Sequence, residues 1–364
     1  MATRAHIDRF FLTSVSILTA VGFFVFLSAS LGLLTQGGAS FGNLALKQAL
    51  SLVLGIAAFY IFSKIKYTWL RRSALFIFLG AVVVNLLLFV PQISIYHGGA
   101  SRWLDLGPIT FQPSELLKIA FIIYVAAWIH FAKEKIKTVP YGLLVYLVLM
   151  GLLGGLLLVQ SDTDTLAIIG ATGICMFFIA GMPLKHIGVT VALGIGLIVA
   201  VVMLRPYAMQ RVKTFFNRAQ DTQGAGYQIN QSLIAIGSGQ VIGRGFGQSI
   251  QKFGYLPQPT DDSIFAVAAE EFGFVGSLVL VGLYLMFAAS AFRVGTRAAD
   301  PFGAFVAIGI AILILIESFL NMAAMLGLVP LSGLPLLFIS HGGTALIITL
   351  AACGIVANIS KYPK

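Results

Sequence analysis

Ten stretches of mostly apolar residues dominate this chain, at 11–34, 45–63, 73–93, 114–132, 140–159, 164–181, 184–204, 264–291, 302–326 and 336–358. Each holds about 20 residues, the length that spans the hydrocarbon core of a bilayer as an α-helix. A membrane leaves the backbone little choice, because every N–H and C=O must be bonded within the protein. The breaks are plain except between the fifth, sixth and seventh runs, where Gln160–Asp164 and Gly181-Met182-Pro183 interrupt the apolar pattern. Composition agrees. Of 364 residues, 59% are hydrophobic and 10% charged, against about 45–50% and about 25% in a soluble domain. The expected fold is therefore all-α, a polytopic integral membrane protein with ten transmembrane helices, in which residues 1–364 form one domain. Cys175 and Cys353 both lie inside apolar runs, so neither a disulfide framework nor a zinc site is expected. The first run is longer than a signal-peptide core and lacks a small-residue cleavage site, so no cleaved leader is expected.

Basic residues orient the spans. With the N-terminus inside, the inner segments carry Arg4, Arg9, Lys64, Lys66, Arg71, Arg72, Lys133, Lys135, Lys137, Lys185, Arg293, Arg297, Lys361 and Lys364, which is 14 of the 23 basic residues. The short outer loops 35–44, 94–113, 160–163 and 327–335 carry only Arg102. The positive-inside rule thus places both termini of a multi-pass protein in the cytoplasm. The net charge of +10 follows from these loop clusters and does not indicate a nucleic-acid partner. Between the seventh and eighth spans lies a large extracytoplasmic loop, 205–262, with Arg205, Arg211, Lys213, Arg218, Arg244 and Lys252. Within it, Gln228–Ile236 suits a short helix on the membrane surface. Its glycines, Gly237 to Gly247, lack the G-x-G-x-x-G spacing and βαβ setting of a nucleotide site. They are expected to serve tight turns, leaving Arg244 and Lys252 free to meet an anion such as a phosphate.

Acids are few, and seven fall outside or at the outer edge: Asp105, Glu115, Asp162, Asp164, Asp221, Asp261 and Asp262. Chemistry is therefore expected on the outer face. Glu115 and Lys118 share a helix face, either as a simple ion pair or as the polar wall of a cavity. Glu270, Glu271 and Glu317 lie within spans, where an ionisable group is expensive. One of the adjacent glutamates is expected to make internal hydrogen bonds, and Glu317 has no obvious partner. Asp261 and Asp262 precede the eighth span. They can cap its N-terminus, or supply a carboxylate at the mouth of a cavity as a general base. His6, His97, His130, His186 and His341 are scattered without metal-ligand spacing.

Several motifs in order resemble the SEDS family (shape, elongation, division and sporulation), that of FtsW, RodA and SpoVE. They are Phe26–Ser30, Gly98-Gly99-Ala100-Ser101-Arg102-Trp103, Phe111–Leu116, Gln160-Ser161-Asp162, Pro206-Tyr207 with Gln210-Arg211, and Gly226-Tyr227-Gln228 with Gln231-Ser232. Tyr255-Leu256-Pro257, Asp262, Glu270–Gly273 and Phe338–Gly343 complete the series. The resemblance spans nearly the whole chain. Pro206-Tyr207, Gln251-Lys252 and Tyr255-Leu256-Pro257 lean towards the FtsW side. It implies a peptidoglycan glycosyltransferase that polymerises lipid II on the outer face of the bacterial cytoplasmic membrane during division or elongation. The implied partners are a class B penicillin-binding protein and divisome or elongasome proteins. The family's essential carboxylate falls on Asp262, Trp103 matches its sensitive outer-loop tryptophan beside Arg102, and Glu115 with Lys118 matches its cavity pair. Arg211, Gln231, Ser232, Arg244 and Lys252 complete the candidate substrate-binding set. Departures are that Thr260 and Asp261 replace the motif's His and Thr, Ser161, Thr163 and Asp164 break a Gln-Pro-Asp-Leu-Gly pattern, and Leu337 and His341 replace Pro and Tyr.

The implied chemistry joins an acceptor 4-hydroxyl to the anomeric carbon of a donor, with inversion, as a diphosphate leaves. One general base, Asp262, suffices. The leaving group needs positive charge from Arg102, Arg211, Lys118 or Arg244, or from a divalent cation such as Mg or Mn. No organic cofactor is expected. Two other classes fit the same spans, a lipid II flippase and a non-catalytic cell-division scaffold. A flippase needs ionisable groups along the full depth, whereas here they crowd the outer half, and retention of Asp262 speaks against a scaffold.

Overall fold

The computed structural model describes residues 6–36, 38–97, 100–105, 107, 110–217, 221 and 224–364. Arg4, Gly98, Gly99 and Arg218 lie outside the described residues, as do the side chains of His97, Ala100, Pro206 and Tyr207. The protein is mostly helical: α1 (Arg9–Ser30), α2 (Gly38–Lys64), α3 (Tyr67–Arg72), α4 (Ala74–Leu86), α5 (Pro113–Ala132), α6 (Leu144–Val159), α7 (Thr163–Ile179), α8 (Leu184–Leu204), α9 (Pro206–Phe216), α10 (Ala225–Ser238), α11 (Ile264–Arg297), α12 (Pro301–Met325) and α13 (Gly343–Ile359). Among the described residues, seven helical stretches are long and apolar enough to cross a membrane: Arg9–Leu34, Phe41–Lys64, Pro113–Lys137, Val139–Val159, Leu184–Leu204, Ile264–Arg297 and Pro301–Met325. Ala74–Phe89, Thr163–Ile179 and Gly343–Ile359 are shorter apolar helices. The chain is a multi-pass membrane protein.

Packing separates inner from outer helices. α12 sits at the centre against α5, α7, α11 and α13. Gly309 allows the closest approach there, since a Cβ would meet Ile122 Cγ2 at 2.7 Å and Met176 Sδ at 2.8 Å. α8 lies at the rim, with Leu193, Ile195, Ile198 and Met203 bare, as a run apolar on all faces beyond Thr190 suits. One end of the bundle is tied by polar contacts among the basic segments. Arg71 pairs with Asp300 at 3.0 Å, the Asp8 amide donates to Ser360 Oγ at 3.0 Å, and Asn358 Nδ2 donates to the Ser63 carbonyl at 2.7 Å.

Three features depart from the sequence expectation. The all-α expectation misses a small antiparallel sheet, β1 (Ser94–His97), β2 (Ala100–Asp105) and β3 (Thr110–Phe111). Its strands are too short to leave a period-2 signal, yet pairs such as Ile95 with Trp103 and Leu104 with Phe111 set the register. The tenth helix begins at Gly343, not at 336. Residues 336–339 are apolar because they are buried in the protein, and they form a turn in which Ser340 Oγ accepts from the Leu336 amide at 2.8 Å.

The third departure is the largest. The 205–262 segment folds back along α11. At one end of α10, Gln228 bonds Asp262 at 3.0 Å; at the other, Ser238 bonds Glu270 at 3.2 Å. The chain then runs beside α11, where the amides of Arg244 and Gly245 donate to the carbonyls of Glu270 and Glu271 at 3.0 and 2.9 Å. The amides of Phe274 and Val275 reciprocate to Gln240 and Val241 at 2.9 and 3.0 Å. These rungs lie about 9–17 Å below the start of α11 at 1.5 Å per residue. At that level Phe274, Val241 and Ile242 are bare. The segment is a hairpin packed along α11 rather than a loop standing free of the helices. α11 breaks at Gly273 (φ 66°, ψ −164°) to free the amides that join it. Gly243 makes the matching approach with φ 80°, and a Cβ there would stand 2.2 Å from the Glu271 carbonyl oxygen. Gly273→Ala or Gly243→Ala combines left-handed strain with a backbone clash. Each should cost about 1–3 kcal/mol or more, read as a lower thermal unfolding midpoint in detergent, whereas Gly282→Ala, which meets open space, should not.

Candidate active site

Asp262 stands on the turn between the hairpin and α11, and three separate segments fix it. Gln228 Nε2, from α10, donates to Asp262 Oδ1 at 3.0 Å and to Ser263 Oγ at 2.9 Å. Asn321 Nδ2, from α12, donates to the carbonyls of Asp262 and Leu334, each at 2.7 Å. The His341 amide donates to the Thr260 carbonyl at 2.7 Å, and Ser340 Oγ to the Asp261 carbonyl at 2.6 Å. The cap of α11 is Ser263, whose side chain makes no capping hydrogen bond to the helix. The capping role weighed for the two aspartates is therefore not what holds them. Asp262 is 5% exposed. Burial pushes its carboxyl up to about 6, opposed by the Gln228 hydrogen bond and reinforced by the charge of Asp261.

The Asp262 side chain opens on a cavity of about 390 Å³. The sheet brings Arg102 and Trp103, the start of α5 brings Glu115, and the start of α7 brings Asp162 and Asp164. Asp261, Gly333 and His341 close the remaining wall. Arg102 Nη2 donates to the Ser161 carbonyl, and its Nε is buried with no hydrogen-bond partner. Arg102 with Trp103, Glu115 and Asp262 thus meet from three separate stretches of chain.

Behind Glu115 lies a buried charge cluster. Lys118 Nζ contacts Glu115 at 2.9 Å and Glu317 at 2.6 Å, and all three side chains are at most 5% exposed. Glu317 therefore has the partner that the sequence left open, and Lys118 is occupied by two carboxylates. Arg211 reaches the cavity only through Asp164, at 2.8 Å. Ser232 donates to the Gln228 carbonyl at 2.9 Å and packs on Met325, supporting α10 from behind. Neither Ser232 nor Gln231 lines the cavity.

Arg244 and Lys252 are corrected. They are not free to meet an anion. Lys252 is buried and pairs with Glu271 at 2.7 Å, and Arg244 Nε stands 3.4 Å from Glu270. Both belong to the hairpin's anchor at the α11 break, well below Asp262. Glu270 and Glu271 both make internal hydrogen bonds, although only one was expected to. Gln228 and Asn321 are the site residues that the sequence reading missed. Gln228 lies within a quoted motif, but its partner is 34 residues away, a separation that carries no periodic signal. Among the described residues no three His, Cys, Asp or Glu side chains group to hold a metal.

A helical fold with a polar cavity at one end of the bundle places the chain among multi-pass membrane proteins. Comparison with known proteins makes this specific. The FtsW/RodA/SpoVE family, described as cell cycle protein, matches residues 8–364. A probable peptidoglycan glycosyltransferase FtsW of Geobacter metallireducens is 39% identical over 318 residues, covering 87% of this chain and 85% of that protein. The corresponding protein of Trichlorobacter lovleyi is 36% identical, covering 99% and 94%. A solved structure described as "Structural coordination of polymerization and crosslinking by a peptidoglycan synthase complex" superposes with a TM-score of 0.79 at 25% identity, covering 97% of both chains. The chain belongs to the FtsW/RodA/SpoVE family.

Removing one partner from a buried ion cluster leaves uncompensated charge at about 3–5 kcal/mol. Lys118→Met should therefore lower the thermal midpoint in detergent sharply, and Lys118→Met with Glu317→Leu should recover part of the loss. An unchanged midpoint in Lys118→Met would show that the cluster is not stabilising.

Proposed function

We propose that this protein is a peptidoglycan glycosyltransferase that polymerises lipid II at the outer face of the cytoplasmic membrane, with Asp262 as general base. The observation that carries the reading is a buried, hydrogen-bonded carboxylate facing a polar cavity that also holds an arginine with an unpaired Nε. Relatives named peptidoglycan glycosyltransferase over most of the chain support the activity. In the reaction the acceptor 4-hydroxyl oxygen bonds the donor anomeric carbon as Asp262 takes its proton. The bond from that carbon to the diphosphate oxygen breaks, and its electron pair leaves with the diphosphate. Arg102 is the cation of the expected set that lines the cavity, and it stabilises the departing charge. Glu115, fixed by Lys118, shapes the wall beside it.

Asp262→Asn keeps the shape and removes the base. Polymerisation of purified lipid II should fall by about 10²–10⁴, while the protein still folds. Because Asp262 must be ionised, activity should rise as pH increases through about 6. The Gln228 hydrogen bond favours the ionised form, so Gln228→Leu should move that limb to higher pH. Near-normal polymerisation by Asp262→Asn would overturn the assignment. Translocation of lipid II without glycan from the wild type would favour a flippase. The synthase complex to which this fold is similar supports a class B penicillin-binding protein as partner, and adding it should raise the polymerisation rate.

The same reading requires ten spans with both termini inside and the Asp262 cavity outside. In a background lacking Cys175 and Cys353, a cysteine at exposed Asp105 should react with an impermeant thiol reagent added from outside. A cysteine at exposed Lys66 should not. The reverse pattern would put the cavity on the wrong face.

A further inference from the structure

Two of the residues that depart from the family pattern, Asp261 and His341, touch each other. Asp261 Oδ1 lies 3.4 Å from His341 Nδ1. They come from segments 80 positions apart that the backbone clips together: His341 N donates to the Thr260 carbonyl at 2.7 Å, and Ser340 Oγ to the Asp261 carbonyl at 2.6 Å. The imidazole also stacks on Phe26, ring centroids 6.1 Å apart, which fixes its plane. Both side chains line the cavity that holds Asp262 and Arg102.

The charge inventory of that cavity makes the pair consequential. Five carboxylates line it, those of Glu115, Asp162, Asp164, Asp261 and Asp262. Glu115 is answered by Lys118 and Asp164 by Arg211, so those two cations are spent. Arg244 and Lys252 are held at the α11 break by Glu270 and Glu271, and Lys47 is exposed on α2 outside the cavity. Among the described residues lining the cavity, Arg102 and His341 are the groups that can carry positive charge. One guanidinium against several carboxylates is a poor receptor for a diphosphate. A histidine whose Nδ1 faces a carboxylate keeps Nε2 as its other donor, and when protonated it offers both charge and hydrogen bond.

We propose that His341, oriented by Asp261, is a second diphosphate-binding group of the cavity, working with Arg102 on the lipid diphosphate. This rests on the reading of the cavity as the site of a diphosphate-linked lipid. The pair then acts as one unit, in which Asp261 positions the ring and His341 meets the ligand.

The test measures binding of undecaprenyl diphosphate in nanodiscs to the purified full-length protein, with undecaprenol as the uncharged control. Variants are His341→Tyr, His341→Gln, Asp261→Thr and the His341→Tyr/Asp261→Thr double. His341→Tyr and His341→Gln should each weaken diphosphate binding about tenfold, the size of one charged hydrogen bond, and leave undecaprenol binding unchanged. Asp261→Thr should lose part of this. The double should lose no more than His341→Tyr alone, as expected of residues acting together. In lipid II polymerisation the His341 variants should raise KM more than they lower kcat. Diphosphate binding by both His341 variants that matches wild type overturns the proposal, as does an equal loss of undecaprenol binding. Failure of the wild type to make glycan, with the His341-dependent diphosphate binding intact, would sink the glycosyltransferase reading and leave this one standing.

Discussion

Hydrocarbon offers no water to an unpaired amide, so backbone that is not helical can sit at membrane depth only if the protein satisfies it. The 225–262 hairpin meets that demand with two carboxylates. Glu270 accepts from Ser249 Oγ at 2.5 Å and from the amides of Ile250 and Gln251 at 3.1 and 3.2 Å. Glu271 accepts from Lys252 Nζ at 2.7 Å and from Ser28 of α1. Adjacent residues of one helix thus hold two sides of the returning chain. The consequence reaches the cavity: α10 is anchored at Ser238 by Glu270, and its other end presents Gln228 to Asp262. A carboxylate deep in the bundle sets the position of the donor that steadies the proposed base.

The same economy governs charge. A bare ion at this depth is costly, and each buried cation found in the bundle is matched to an acid: Lys118 to Glu115 and Glu317, Lys252 to Glu271. Such pairs bring modest net stability, because desolvation offsets much of their attraction. Their effect is to fix geometry. Lys118 pins the start of α5 to the middle of α12, and so fixes Glu115 in the cavity wall. The sequence reading assigned these cations to the substrate. The structure assigns them to the scaffold, and leaves the cavity dependent on a small number of positive groups.

Much of the fold was legible because a membrane simplifies the code. The apolar runs at 11–34, 114–132, 184–204 and 302–326 correspond closely to helices α1, α5, α8 and α12, since length and apolarity alone decide them. Asp262 and the Arg102-Trp103 pair were legible through motif resemblance, and the cavity gathers them. What was not legible depends on contacts between distant residues. The 336–342 stretch reads as span because buried core and lipid both select apolar side chains. The hairpin reads as a polar loop because the groups that satisfy it are distant, as where Ser249, Ile250 and Gln251 bond the Glu270 carboxylate about 20 residues away. Gln228 and Asn321 are ordinary polar residues until the fold brings them to one turn.

Asp261 and Asp262 show how neighbouring carboxylates are given different work. Adjacent on the chain, they differ in surroundings: the Asp262 side chain is buried beneath Gln228, whereas the Asp261 side chain is 44% exposed and faces His341. Environments that differ in this way separate the roles of paired acids. Burial favours a carboxylate that takes up a proton near neutral pH, and exposure favours one that meets a partner across the cavity. The side chains bonded to Asp262 itself come from α10 and α12, which the departures from the family pattern do not touch. The changes at Asp261 and His341 fall on the opposite side of the turn and on each other. A substitution at one is therefore matched by the chemistry of the other, and the pair can alter how the cavity treats an anion without moving the carboxylate on which the transfer depends.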